Sequence, residues 1–141
     1  MPGYSTNPLS KKLGLKESQT FLVINKPENY EALFEDLPSK LITKNNPKIL
    51  KDIIHFFTKA NKELTQNLPF LKQQIKHNGM IWVSWPKKSS KVQTDITEDK
   101  IRNLALQIGL VDVKVCAIDE TWSALKLVIP LSLRNVEIYS P

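Results

Sequence analysis

Nearly continuous apolar runs alternate along this chain with stretches in which apolar residues recur every three or four positions. The runs at residues 21–24, 53–57 and 80–85 have the pattern of strands that are covered on both faces within a parallel sheet. The stretches between them have the spacing of amphipathic helices. This alternation predicts an α/β fold in which right-handed crossovers build a doubly wound sheet with helices on both faces.

Three helices are predicted between the strands. The first covers residues 27–37, with a proline at its first position. The second lies within residues 60–75, and we expect Pro69 to break it and Asn78-Gly79 to end it in the left-handed conformation. The third covers residues 98–108, where apolar residues recur at i, i+3, i+4 and i+7.

Two further β-rich runs lie near the end of the chain, at residues 111–118 and 124–129. The connection between them, residues 119–123, is short enough to make them an antiparallel hairpin. The predicted fold class is therefore a three-layer α/β domain with a mostly parallel, doubly wound sheet that ends in an antiparallel hairpin.

The 141-residue chain has the size of one domain. Residues 1–19 are polar and rich in proline, and we interpret them as an N-terminal arm. Residues 20–130 form the Rossmann-like α/β domain, and residues 131–141 form a C-terminal tail or an edge strand. An exposed edge strand there could pair with a second copy, so a homodimer is one expectation.

The order of these elements resembles the fold of S-adenosylmethionine-dependent methyltransferases with one β-α unit shortened or missing. The resemblance places the last strand between the strand at 80–85 and the strand at 111–118. It rests on the stretches 52–57, 68–71 and 78–83.

The chain also resembles a bacterial domain family of unknown function over most of residues 3–130. The resemblance to that family supports a domain boundary and implies no catalytic or binding activity. The sequence segments that show this resemblance are 3–5, 9–14, 82–88, 94–98, 109–116 and 121–126.

The cofactor cradle of a methyltransferase needs glycines after the first strand, because the backbone must approach the cofactor closely there. The corresponding turn, residues 25–30, contains no glycine, and Pro27 removes an amide donor from it. No acidic residue ends the second strand near residues 41–43, where a ribose partner would be expected. We therefore expect no cofactor and a non-catalytic module that binds a small anion, a nucleotide or a protein, with a diverged methyltransferase-like enzyme as the alternative.

The net charge of +6 favours anionic partners weakly. Only two of the 20 basic residues are arginine, whereas nucleic-acid surfaces usually cluster arginine, so nucleic-acid binding is the third hypothesis and an unlikely one. One cysteine and two histidines argue against a metal site. No apolar run approaches the ~20 residues that cross a bilayer, and no secretory pattern opens the chain, so the cytoplasm is the expected location.

Candidate ligand-binding residues follow two strands whose ends meet at one edge of the predicted sheet. Ligands of open α/β sheets bind at the carboxyl ends of the strands, where the loops diverge. Lysines there could bind phosphate or carboxylate, and a tryptophan could stack on a ring. Exposed ion pairs and a tryptophan that caps the sheet remain the simpler alternative. The candidates are Lys87, Lys88, Asp119, Glu120 and Trp122.

No catalytic residue is assigned from the sequence. His55 lies in the middle of a buried strand, which favours a hydrogen-bonded core histidine over a catalytic base. His77 is expected to lie at the end of the second helix and to interact with its dipole. Cys116 alternates with valines in a strand and has no base nearby in the sequence.

Overall fold

The computed structural model describes residues 9–16, 18–34 and 41–133, with the side chain of residue 41 left out. Strands and helices alternate through them as the apolar pattern predicts. In chain order the elements are α1 (Leu9–Leu13), β1 (Phe21–Ile24), a 3-10 turn (Glu31–Leu33), β2 (Leu41–Ile42), β3 (Lys51–Phe57), α2 (Asn61–Lys72), β4 (Ile75–Pro86), a second 3-10 turn (Lys88–Ser90), α3 (Glu98–Gln107), β5 (Val111–Ala117) and β6 (Trp122–Val128).

The described strands form one sheet in the order β2-β1-β3-β4-β6-β5. The first four strands of the chain pair in parallel, and β6 pairs antiparallel with both β4 and β5. This arrangement confirms the predicted doubly wound α/β class, the terminal hairpin and the position of the last strand between its two neighbours.

Alternate side chains of the strands point to opposite faces of the sheet. On the face that we call the helix face, Ile54 packs with Leu64 of α2 and Ile101 of α3. On the opposite face, which we call the arm face, Ile53 packs with Leu13 of α1. Within the described residues the helix face is covered by helices of 12 and 10 residues, whereas α1 has only five. The two outer layers are therefore unequal.

The N-terminal arm is attached to the arm face by its helix. Leu13 is fully buried, and its carbonyl accepts a hydrogen bond of 3.0 Å from the indole Nε1 of Trp82 in β4. Gly14 ends α1 in the left-handed conformation, at φ 76°. Residues 9–16 thus contribute to the core, and residues 1–8 lie outside the described residues.

Two expectations for the second helix were wrong. Helix α2 runs through Pro69, because Leu68 and Leu71 pack into the core on either side of it and one lost backbone bond is tolerated. The helix ends at Lys72, well before Gly79, which lies inside β4.

Gly79 serves a different purpose from the one predicted. It lies where the pairing of β3 with β4 shifts in register, and a Cβ atom there would lie 3.0 Å from the carbonyl oxygens of Lys51 and Asp52. The glycine therefore permits close approach of two strands. His77, predicted at a helix end, is an exposed residue of β4.

The first predicted helix is shorter in the described residues than its apolar spacing indicated. Only the 3-10 turn Glu31–Leu33 is helical there, and its predicted last residues lie in 35–40, outside the described residues. At the other end of the chain residues 131–133 are helical, and the remainder of the predicted tail or edge strand, residues 134–141, also lies outside.

Candidate functional site

The carboxyl ends of β1, β3 and β4 meet at one edge of the sheet. The chain passes from β1 to β2 on one side and returns through β3 on the other, so the strand order reverses between β1 and β3. Such a switch point is where open α/β sheets bind ligands. The loop after β4 joins the hairpin turn at the same edge, since the amide of Lys87 donates a hydrogen bond of 2.9 Å to the carbonyl of Thr121.

The turn after β1 crosses the switch point. Asn25 adopts the left-handed conformation, at φ 59°, which asparagine tolerates better than most residues. Its Nδ2 donates to the carbonyl of Phe57 at 2.9 Å and to Oε2 of Glu63 at 3.2 Å. Lys26 forms an ion pair with Glu31 within the same segment. The side chain of Asn25 therefore bridges the two strands that border the crevice.

A buried hydrogen-bond chain lies behind this turn. The hydroxyl of Tyr30 lies 2.8 Å from Nδ1 of His55, and Nε2 of the same ring lies 2.6 Å from Oγ of Ser84. All three side chains are fully buried. Burial lowers the pKa of His55 to about 3 and raises the pKa of Tyr30 above its usual value. As predicted, the histidine is a hydrogen-bonded core residue.

A cavity of about 400 Å³ remains open at the switch point, and we call it the switch-point pocket. Oε1 of Glu63 accepts a hydrogen bond of 2.5 Å from the hydroxyl of Thr58, so this carboxylate is held by both neighbouring strand ends. The ring of Trp122 meets Phe57 edge-on at 4.9 Å. The lining residues are Asn25, Phe57, Thr58, Lys59, Ala60, Glu63 and Trp122.

A second cavity, of about 470 Å³, lies on the helix face of the same edge, and we call it the Trp85 pocket. Trp85 belongs to the core of the helix face and is 7% exposed. The loop between β4 and α3 wraps around the pocket and supplies most of its wall. The lining residues are Trp85, Pro86, Lys87, Lys88, Val92, Thr94, Asp95, Ile96, Thr97 and Glu98.

The charges of the Trp85 pocket are unevenly paired. Oδ1 of Asp95 accepts a hydrogen bond of 2.7 Å from the amide of Asn61, at the start of α2. Glu98 forms an ion pair with Arg102. The ammonium groups of Lys87 and Lys88 have no carboxylate partner among the described residues. The pocket thus combines two engaged carboxylates with two free lysines.

In the hairpin turn the carboxylate of Asp119 is used in local hydrogen bonds. Oδ1 of Asp119 accepts hydrogen bonds of 2.8 Å from the amides of Thr121 and Trp122, a local arrangement that stabilises a tight turn. Glu120 is exposed. Trp122 lines the switch-point pocket on the arm face.

The five candidate residues therefore lie at one edge, as the sequence predicted, but not in one pocket. Lys87 and Lys88 line the Trp85 pocket, Trp122 lines the switch-point pocket, and Asp119 shapes the turn between them.

Several site residues had no clear signal in the sequence. Asn25, Thr58 and Glu63 are ordinary polar residues at strand ends and in a first helical turn, and their convergence depends on the register of β1 with β3. Only the position of Asn25 could have been inferred from the sequence, because asparagine often replaces glycine where a turn requires a positive φ.

No group of three or more His, Cys, Asp or Glu side chains within residues 9–16, 18–34 and 41–133 is placed to hold a metal ion. In the same part of the chain, no helix is long and apolar enough to span a membrane.

Several solved structures with a similar fold are methyltransferases. The chain is similar to a SAM-dependent methyltransferase from Aquifex aeolicus with a TM-score of 0.62, 14% identity and coverage of 86% of this chain and 88% of that one. A ribosomal protein L11 methylase from Lactobacillus delbrueckii subsp. bulgaricus matches with a TM-score of 0.55, 11% identity and coverage of 86% and 75%.

The magnesium protoporphyrin IX methyltransferase from Synechocystis PCC 6803, with bound SAH, matches with a TM-score of 0.51 and 11% identity over 71% of this chain. The match spans 55% of the length of that enzyme. The TM-scores show a shared fold, and at identities this low they show the fold alone. The methyltransferase-like fold predicted from the sequence is therefore confirmed.

No curated protein matches the chain. A family model described as a protein of unknown function, DUF3052, matches residues 28–131. The chain therefore belongs to the DUF3052 family, a domain family of unknown function whose fold here is methyltransferase-like.

Proposed function

We propose that this domain is a non-catalytic cytoplasmic module that binds a small anion in the Trp85 pocket through Lys87 and Lys88. The pairing of charges in that pocket carries the proposal. Asp95 and Glu98 are engaged by Asn61 and Arg102, so the two lysines are left to meet a ligand.

The other walls of the pocket suit an anion that carries a ring. Its volume of about 470 Å³ falls in the range of small-molecule sites, which is roughly 300–1,000 Å³. Trp85 and Ile96 supply apolar surface. The pocket also includes Thr97, whose hydroxyl caps the start of α3, where the helix dipole favours negative charge. A nucleotide has both a ring and phosphates and is our preferred probe.

The non-catalytic part of the proposal rests on the switch point. Neighbours of this fold are described with bound SAM or SAH, and a cofactor of that kind needs an open turn after β1. Here the side chain of Asn25 bonds across the crevice to Phe57 and Glu63, and Pro27 withholds an amide. These residues do not fit such a cofactor.

A diverged methyltransferase is the alternative, and the fold likeness favours it. That hypothesis places the cofactor in the switch-point pocket of about 400 Å³ and requires Asn25 to take the place of the glycine after β1. It predicts that S-adenosylmethionine raises the thermal midpoint, because a ligand that binds only the native state stabilises it. We expect no such rise.

Replacing both Lys87 and Lys88 with alanine is expected to weaken binding of ATP by at least about tenfold, because each lost charge-assisted hydrogen bond contributes about 1.5 kcal/mol or more. The thermal midpoint of the unliganded domain should stay within about 2 °C of wild type, since Lys88 is exposed, Lys87 is only half-buried, and neither pairs with a carboxylate of the described residues. Isothermal titration calorimetry with ATP and with inorganic phosphate measures the first effect, and a thermal melt measures the second.

The variant K44A/K48A is the matched control, because it removes the same charge from two exposed lysines outside both pockets. It should bind ATP as wild type does. Equal weakening in both variants would indicate attraction by net charge alone. Duplex DNA as a further probe tests the nucleic-acid hypothesis, which predicts binding that weakens steeply with salt.

A further inference from the structure

Two lysines face each other directly across the terminal hairpin. Lys114 of β5 and Lys126 of β6 are register partners. Like charges directly opposite each other in an antiparallel pair destabilise a sheet. Lys126 is half-buried, and both burial and the charge of Lys114 lower its pKa. The domain thus retains an electrostatically unfavourable pair at the centre of its hairpin.

A third lysine approaches the same part of the arm face. Lys12 of α1 is half-buried, and its charge and that of Lys114 both act on the thiol of Cys116. The ammonium of Lys114 lies 5.9 Å from the ring centre of Trp82. No carboxylate of the described residues pairs with any of the three. We call Lys12, Lys114 and Lys126 the hairpin lysine cluster.

Half-buried apolar side chains surround these lysines. Met80, Cys116 and Val128 lie on or beside the arm face and are neither fully covered nor fully exposed. Among the described residues no long helix covers this part of the sheet, whereas α2 and α3 cover the helix face. The surface is therefore apolar at the level of the sheet and positively charged above it.

We infer that the part of the arm face around the hairpin lysine cluster is a docking surface for an amphipathic helix of a partner protein. The apolar stripe of that helix is bordered by glutamate or aspartate. Such a helix would cover Met80 and Val128 and neutralise the facing Lys114 and Lys126. A protein fits better than a nucleic acid. Nucleic-acid surfaces depend on many basic groups along a backbone, whereas only three lysines lie beside this apolar patch, and exposed apolar patches are typical of protein interaction sites.

The probe for this inference is a synthetic amphipathic peptide of about 18 residues, long enough to form an isolated helix, with leucines on one face and glutamates beside them. In heteronuclear NMR titrations it should shift the amides of Lys114, Cys116 and Lys126. The same peptide with lysine in place of glutamate should leave them unshifted. K114E/K126E should weaken binding of the acidic peptide at least tenfold and bind the basic peptide instead. K44E/K48E is the matched control and should behave as wild type.

Three outcomes would overturn the inference. The first is no shift of these amides with the acidic peptide up to about 1 mM, a concentration at which binding with a dissociation constant of roughly 1 mM is detectable. The second is that duplex DNA shifts the same amides more strongly than the peptide does. The third is that deletion of residues 134–141 from the free protein shifts these amides, which would make the chain's own end the occupant.

The isolated domain offers an independent check on the hairpin lysine cluster. K126E places an opposite charge across from Lys114 and should raise the thermal midpoint by about 2 °C. K44E, at an exposed position outside the helices, controls for the change in net charge. A fall in the midpoint of K126E below that of K44E would contradict the inference, because it would mean that the domain itself already compensates the two lysines.

Discussion

Lowering the pH from 7 to 4 is expected to remove about 3 kcal/mol of folding free energy through His55 alone. The ring is fully buried between Tyr30 and Ser84, and its pKa of about 3 lies below the value of about 6.5 expected in the unfolded chain. Between these two values the unfolded state binds a proton that the folded state does not. Stability from this group is therefore complete above pH 6.5 and falls by roughly 1.4 kcal/mol for each pH unit below it.

Urea denaturation of wild type and H55Q at pH 7, 6, 5 and 4 measures this effect. Glutamine keeps a polar side chain near Tyr30 and Ser84 but does not titrate, so the variant should lose the histidine contribution to the pH slope whatever its stability at pH 7. Parallel slopes for wild type and H55Q would mean that the buried ring is protonated in the folded state.

Replacing Trp82 with alanine is expected to destabilise the domain by about 3–5 kcal/mol. The indole is fully buried in the core of the arm face, so truncation leaves a cavity and loses the apolar contacts of a large ring. It also leaves the carbonyl of Leu13 without its hydrogen bond from the indole. We expect residues 9–16 to exchange amide protons faster in this variant, because that bond fixes α1 to the sheet.

Urea denaturation at pH 7 gives the loss of stability, and two other variants separate its causes. W82F keeps a ring but removes the donor to Leu13, and should cost about 1–3 kcal/mol. W122A truncates a half-buried ring at the sheet edge and should cost clearly less than W82A. Equal costs for W82A and W122A would show that burial of the arm does not depend on Trp82.

The apolar pattern predicted the sheet well because its central strands, β1 and β3, are buried on both faces. The run at 53–57 became β3, and the hairpin and its strand order followed from two β-rich runs with a short connection. Helix α3 was equally clear, since Thr97 caps its start and Gly109 follows its end at φ 87°. The residues that indicate each of these elements lie within or next to the element itself, so the sequence alone is enough to predict it.

The errors in the fold came from residues whose neighbours are distant in sequence. Gly79 follows an asparagine, as at many helix ends, but it lies in a strand, where a Cβ atom would come within 3.0 Å of the carbonyl oxygens of Lys51 and Asp52 in β3. Pro69 is compatible with α2 because tertiary packing holds the helix on both sides of it. Neither contact can be deduced from the flanking residues alone.

In the candidate site, too, the sequence predicted local features and missed contacts between residues that are distant in sequence. The sequence predicted that Lys87 and Lys88 of the loop after β4 lie at the edge of the sheet near the hairpin turn, with exposed ion pairs as the simpler alternative. It did not predict that Trp122 and Lys87 line different pockets, because that depends on which face each side chain takes at the end of its strand. The absence of glycine after β1 was visible in the sequence, whereas the bridge from Asn25 to Glu63 required the pairing of β1 with β3.

The most direct test of the proposed function is a pair of heteronuclear NMR titrations of the full chain, one with ATP and one with S-adenosylmethionine. We predict that ATP shifts the amides of Lys87, Lys88 and Thr97 around the Trp85 pocket. We predict that S-adenosylmethionine leaves the amides of Asn25 and Glu63 unshifted. The reverse result, with S-adenosylmethionine shifting the switch-point amides and ATP shifting none, would contradict a non-catalytic anion-binding module and favour a methyltransferase.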